Sequence, residues 1–148
     1  MYKFIFGLFL LSIMACSSGP KEINFGSDKC DFCSMNIMDK PYGTELVTDK
    51  GKVHKFDSSE CMINYMHENQ DKAYSHILTC TMDNPGVLVD AKSSYFLVSE
   101  NMPSPMGANI TAYSTKELAD ASQAENGGEV YDFEGIKSVQ TKHEMSHH

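Results

Sequence analysis

Phe56-Asp57-Ser58-Ser59-Glu60 and Tyr113-Ser114-Thr115-Lys116-Glu117 are one device written twice in the chain. An aromatic residue closes a strand, a small polar residue follows, and Glu stands three positions further on. That spacing is the capping-box signature of a helix start, in which a side chain at each end satisfies a free backbone N–H. Asp57 and Ser114 are accordingly predicted as N-caps, with Glu60 and Glu117 in the first helical turn. Met62, Tyr65 and Met66 then recur at helical spacing, which predicts an amphipathic helix over Ser58–Glu68. The second device predicts a helix over Thr115–Glu125, ended by Gly127-Gly128.

Strand signals surround both helices. Gly43–Thr48 and Lys52–Phe56 flank the turn Asp49-Lys50-Gly51 and read as a hairpin. Ala73–Cys80 reads as a strand after the first helix, and Asn84-Pro85-Gly86 as a turn. Val87–Asp90, Tyr95–Val98 and Asn109–Tyr113 precede the second helix as short strands, and Glu129–Phe133 follows it. Ile136–Val139 adds one helical turn. The fold class is α+β, two ββαβ units over about 30–82 and 83–139. Neither unit has the core to stand alone, so their sheets are expected to pack or join.

The chain has 148 residues and a formal net charge of -8, which repels phosphate backbones and argues against a nucleic-acid partner. Residues 1–15 carry Lys3 and then the apolar run Phe4 to Met14, the pattern of a signal peptide. The run is too short to span a bilayer with ease. It ends Ile13-Met14-Ala15-Cys16, which resembles a bacterial lipobox. The resemblance implies cleavage before Cys16, lipidation of Cys16 and a membrane-anchored protein outside the cytoplasm. Residues 16–29 then read as the lipidated Cys and a flexible tether, and 140–148 as a polar tail containing His143, Met145, His147 and His148.

The chemistry-bearing stretch is Cys30-Asp31-Phe32-Cys33-Ser34-Met35. Two thiols and a thioether are soft donors, a set that favours Cu(I) over harder ions. With Cys16 lipidated, Cys30, Cys33, Cys61 and Cys80 remain, enough for two disulfides or a four-thiolate zinc site. Cys61, on the first helix, is expected to be buried. The second unusual stretch is Met102-Pro103-Ser104-Pro105-Met106-Gly107. Its prolines hold it extended, so Met106, and as a secondary candidate Met102, can present a thioether to a metal. No Ser-His-Asp set, phosphate loop or marked carboxylate pair occurs, so no enzymatic activity is assigned.

Cys30-x-x-Cys33-x-Met35, then Phe56-Asp57 before a helix, then Ser104-Pro105-Met106-Gly107, all behind a lipobox, resembles the NosL copper-chaperone lipoproteins. The likeness runs over roughly Lys29–Phe133. It implies two ββαβ units similar to the N-terminal domain of organomercurial lyase. It also implies Cu(I) binding through Cys33, Met35 and Met106, with Cys30 as a lesser ligand. The implied role is supply of copper for assembly of the copper centres of nitrous oxide reductase, with that enzyme or its maturation machinery as client. Ser34 stands where many members of the family have Gly. Whether two chains share one site as a homodimer is left open. Two rival functions remain at this point. One is a thiol-disulfide oxidoreductase using Cys30 and Cys33, though Asn36, Asp39, Pro41 and Gly43 suit a loop better than the helix start such an enzyme needs. The other is a zinc-stabilised binding module held by Cys30, Cys33, Cys61 and Cys80.

Overall fold

A computed structural model describes residues 19–146. The signal peptide, Cys16, His147 and His148 lie outside the described residues. Strands β1 (Thr44–Thr48) and β2 (Val53–Phe56) lead into α1 (Ser59–Glu68), and β3 (Tyr74–Thr81) and β4 (Asn84–Asp90) follow. After a 3-10 turn, β5 (Tyr95–Val98) and β6 (Ile110–Tyr113) lead into α2 (Lys116–Asn126). β7 (Glu129–Tyr131) and α3 (Phe133–Ser146) complete the order. Two antiparallel sheets result, ordered β2-β1-β3-β4 and β6-β5-β7. In each unit the first strand lies between the second strand and the strand after the helix. The repeat read from the two helix starts is thus a repeat of topology.

The strand at 84–90 belongs to the first sheet, paired to β3, rather than opening the second unit as predicted. The hairpin turn is Met82-Asp83, and Asn84-Pro85-Gly86 is already strand. Pro85 misled the sequence reading because it punctuates most strands. β4 is an edge strand, where a residue lacking an N–H is tolerated.

Both helices begin one residue later than predicted. Ser58 is the N-cap of α1, its hydroxyl accepting the Cys61 N–H at 3.4 Å, and Thr115 caps α2 by accepting the Leu118 N–H at 3.3 Å. Asp57 and Ser114 are engaged elsewhere. Burial pushes the Asp57 carboxyl up, partly offset by the Met38 N–H. The Ser114 hydroxyl donates to Asp83 at 2.5 Å.

One core serves both units. Leu46, Phe56, Met62 and Ile63 from the first pack in the same cluster as Phe96, Ile110 and Ala112 from the second. The sheets pack rather than join, touching where the Met82 N–H donates to the Ala112 carbonyl at 2.8 Å. α3 is the larger departure, running from Phe133 where one turn and a polar tail were predicted. Asp132 accepts the Gly135 N–H at 2.8 Å as a cap, and Phe133, Ile136 and Gln140 are buried on one face. The expected tether is also shorter. The Lys21 N–H bonds buried Glu45 at 2.9 Å, Ile23 enters the core, and Asp28 pairs with Lys55 at 2.6 Å. Among the described residues no helix is long and apolar enough to cross a membrane.

Candidate metal centre

Residues 29–36 form a tight hairpin. Lys29 and Asn36 make an isolated antiparallel bridge, the Cys30 N–H donates to the Met35 carbonyl at 2.8 Å, and the Ser34 N–H donates to the Cys30 carbonyl at 3.0 Å. Closing it puts Ser34 at φ 66, the left-handed region. The Asp31 N–H donates to the Lys55 carbonyl at 2.8 Å and its carboxylate meets His54 Nδ1 at 2.7 Å, docking the hairpin on β2. The imidazole of His54 is buried against the Tyr65 ring, 4.9 Å away between centroids.

β2 runs directly into α1, so the same strand that carries the hairpin delivers Cys61 in the first helical turn. The sulfurs of Cys30, Cys33 and Cys61 all lie within 4.8 Å of one another. Cys30 and Cys61 are buried and Cys33 is half-buried; none is in a disulfide. The Cys61 thiol donates to the Cys30 sulfur, and the N–H groups of Cys33, Asp57 and Phe32 also point at it. Against burial, these hold the Cys30 thiol at about 5, below an ordinary 9.0. The same hydrogen bond, then burial, pushes Cys61 up. Burial raises Cys33 as well, partly offset by the Met35 N–H. Within the cluster, negative charge is thus favoured on the Cys30 sulfur over the other two, with a backbone cradle aimed at it. Three sulfurs in this arrangement suit a low-coordinate soft ion, while zinc wants a fourth ligand.

The other candidates fall into four groups. Met35 and Met106 are exposed, at 55% and 40%. Met106 lines a cavity of about 170 Å³ with Phe32, Glu60 and Cys61. Met102 packs instead in the second small core beside Leu97 and Tyr113, its sulfur accepting from Ser122 at 3.3 Å and Tyr113 at 3.6 Å. It is not brought to the thiols, because the turn at 104–107 sends the two methionines of the loop apart. Cys80 is buried on β3 outside the sulfur cluster found among the described residues, its thiol pushed up to about 11 by burial. The four-thiolate zinc arrangement is thus not assembled. His67 and His76 are exposed on α1 and β3, and His143 and Met145 lie toward the end of α3.

Cys61 is the member of the cluster that sequence reasoning expects to be buried and leaves out of the copper ligand set, giving it a metal role only in the rival zinc module. Its signal was its place in the first turn after a cap. What the sequence lacked was the pairing of the Cys30 hairpin with β2, a contact across some 24 residues (31 to 55).

A family model described as NosL matches residues 22–141. The copper-binding lipoprotein NosL of Stutzerimonas stutzeri is 30% identical over 118 residues, covering 74% of this chain and 62% of the relative. The chain thus spans less than two thirds of that relative's length. The crystal structure of the copper chaperone NosL from Shewanella denitrificans has a TM-score of 0.69 at 23% identity, covering 79% of this chain and 94% of that one. That likeness shows the fold: helices and two antiparallel sheets in the same arrangement.

Proposed function

The chain belongs to the NosL family, and from that premise we propose that it is a membrane-anchored, extracytoplasmic Cu(I) chaperone. The carrying observation is the cluster of Cys30, Cys33 and Cys61 sulfurs within 4.8 Å. The anchor in this proposal is lipidated Cys16, and the client is nitrous oxide reductase or its maturation machinery. The names of the two relatives, a copper-binding lipoprotein and a copper chaperone, support the copper and the lipid parts of the reading.

The proposed ligands are Cys33, Met35 and Met106, with the Cys30–Cys61 pair beneath them. The division follows exposure. Two neutral thioethers at the surface can catch or release the ion without changing its charge. The buried Cys30–Cys61 pair carries the thiol that ionises most readily, and Cys33 at the rim adds a second thiolate when it gives up its proton to the ion. Soft donors of this kind hold Cu(I) in preference to Zn(II). The hairpin is a turn rather than the first turn of a helix, which favours this reading over an oxidoreductase.

The test is Cu(I) competition against a chromophoric chelator under reducing conditions, alongside Zn(II). The wild type is expected to bind Cu(I) far more tightly than Zn(II), and Cys33→Ser to lose most of that affinity. Equal Cu(I) affinity in Cys33→Ser would move the site away from the hairpin. Cys16→Ser is expected to leave an unprocessed or delocalised protein by membrane fractionation, with its metal site intact.

A further inference from the structure

Glu60 is 3% exposed and lies in the first turn of α1, immediately before Cys61. An acidic residue at a helix N-terminus is usually a solvated partner of the helix dipole. Glu60 is neither solvated nor aimed along its own helix. Its Oε1 accepts the hydroxyl of buried Ser104 and, at 3.3 Å, the N–H of Ala108, more than forty residues away in the second unit. Its Oε2 is buried with no hydrogen-bond partner among the described residues.

The two groups it grips bracket a turn. The Gly107 N–H donates to the Ser104 carbonyl at 3.0 Å, closing Ser104-Pro105-Met106-Gly107 with Pro105 second and Met106 third. Gly107 has φ +84, a conformation that side chains resist. Ser104 Oγ also accepts the Asn109 N–H at 2.9 Å, so one carboxylate oxygen fastens both limbs of the turn. Met106 is at its tip, lining with Cys61 the same cavity of about 170 Å³. Burying a carboxylate is costly unless its bonds compensate, and here half of them are missing. Stability alone is a poor reason for this residue.

We propose that Glu60 is the positioning residue that holds the Met106 thioether over the thiol cluster. It locks the turn of the second unit to the helix that carries Cys61. The inference rests on the copper reading above for its consequence, and on the Glu60–Ser104–Ala108 contacts for its geometry. One peptide bond separates the clamp from Cys61, so the clamp sets the spacing between thiol and thioether. Without it, the loop retains Pro105 but loses its attachment to α1.

The experiment is Cu(I) competition for wild type, Glu60→Ala, Glu60→Gln, Ser104→Ala, Met106→Leu and the double variant Glu60→Ala/Met106→Leu. Unfolding in urea verifies that each is folded. Glu60→Ala and Ser104→Ala are expected to weaken Cu(I) binding by roughly the factor that Met106→Leu does, on the order of tenfold. The double variant is expected to be no weaker than either single one, the mark of two residues acting through one contact. Glu60→Gln is expected to bind as wild type, because its amide oxygen can accept the same two bonds. In the metal-free protein, methyl-labelled methionine spectra should show the Met106 signal shifted in Glu60→Ala and Ser104→Ala, with Met102 unmoved. Additive losses in the double variant, or an unmoved Met106 signal, would overturn the proposal. A wild type that fails to take up Cu(I) would instead sink the copper reading, and the methyl spectra would still decide whether Glu60 places Met106.

Discussion

The starts of α1 and α2 align residue for residue: Phe56 with Tyr113, Asp57 with Ser114, Ser58 with Thr115, Glu60 with Glu117, Cys61 with Leu118. Both caps work the same way, and three strands of each sheet share one order, to which the first sheet adds β4 at its edge. The difference is where the side chains go. In the second unit Glu117 and Leu118 are exposed, and Ser114 bonds Asp83 at the surface. In the first, the Asp57 N–H points at Cys30, Glu60 grips the Met106 turn, and Cys61 completes the sulfur cluster. One scaffold can thus serve as a plain support in one copy and as a site in the other. The distinction comes from what packs on the helix start: the Cys30 hairpin covers the first and leaves the second bare.

The largest effect should separate Cys61 from Leu118. Cys61→Ser is expected to lower Cu(I) affinity by at least about tenfold and Leu118→Ser to leave it unchanged, read by chelator competition. The same pair of sites differs in pH response. Cys30 is held down at about 5 and Cys61 is pushed above 9.0, so between those limits the folded pair keeps one proton and the unfolded chain two. Stability is then expected to climb with pH across that window. Above it the unfolded thiols are bare while Cys61 keeps its proton, and the sign reverses. Urea unfolding under reductant from about pH 6 to about pH 8 should show this climb flattened in Cys61→Ala, which removes the largest support of the Cys30 thiolate. An unchanged slope would mean the two thiols do not share a proton.

This contrast marks what the chain reveals on its own. The caps, helices and most strands are local signals, so two ββαβ units are readable from turn residues and periodicity. Cys30, Cys33, Met35 and Met106 stand out because soft donors sit in short, unusual stretches. Cys61 does not, since one Cys on an apolar helix face looks like core until the hairpin is seen against β2. Glu60 looks like half of a capping box until Ser104 is seen above it. α3 was missed beyond a turn because its buried residues are few and its face is completed by Gln140, a polar residue that no hydrophobic pattern counts. The tether is shorter than its Ser, Gly and Lys content suggests, because Lys21, Ile23 and Asp28 each find a partner far along the chain.

The two caps offer a closer test. Ser58→Ala and Thr115→Ala each remove one N-cap acceptor and should each cost on the order of 1 kcal/mol by urea unfolding. Ser58 is fully buried, so leaving the Cys61 N–H without its partner should make it the dearer of the two. Only the Ser58 change should also alter Cu(I) binding, because the N–H it releases belongs to a cluster residue. Equal effects on both readouts would erase the distinction between the helix starts.

A smaller effect concerns backbone strain. The second unit meets its left-handed positions after α2 with Gly127 and Gly128, while the hairpin of the first meets one with Ser34 at φ 66. A residue with a Cβ pays roughly 1 kcal/mol there relative to Gly. Ser34→Gly should therefore raise stability by up to about 1 kcal/mol, less whatever the unfolded chain gains in freedom. Cu(I) affinity should hold, since the sulfur positions follow the hairpin bonds and not the Ser34 side chain. A loss of stability would mean that the hydroxyl contributes more than the strain costs.

The smallest effect is expected at Glu117, the counterpart of Glu60. Its carboxylate is exposed in the first turn of α2 and faces the positive end of the helix dipole. Such a charge is worth about 0.3–1 kcal/mol at low salt, and less as salt screens it. Glu117→Gln should cost a few tenths of a kcal/mol in dilute buffer and nothing measurable in strong salt, by urea unfolding at both ionic strengths. Glu60→Gln should show no such salt dependence, because Glu60 is buried and its bonds survive the change. A salt-sensitive Glu60, or a Glu117 whose loss alters copper binding, would show that the two helix starts differ less in role than their surroundings indicate.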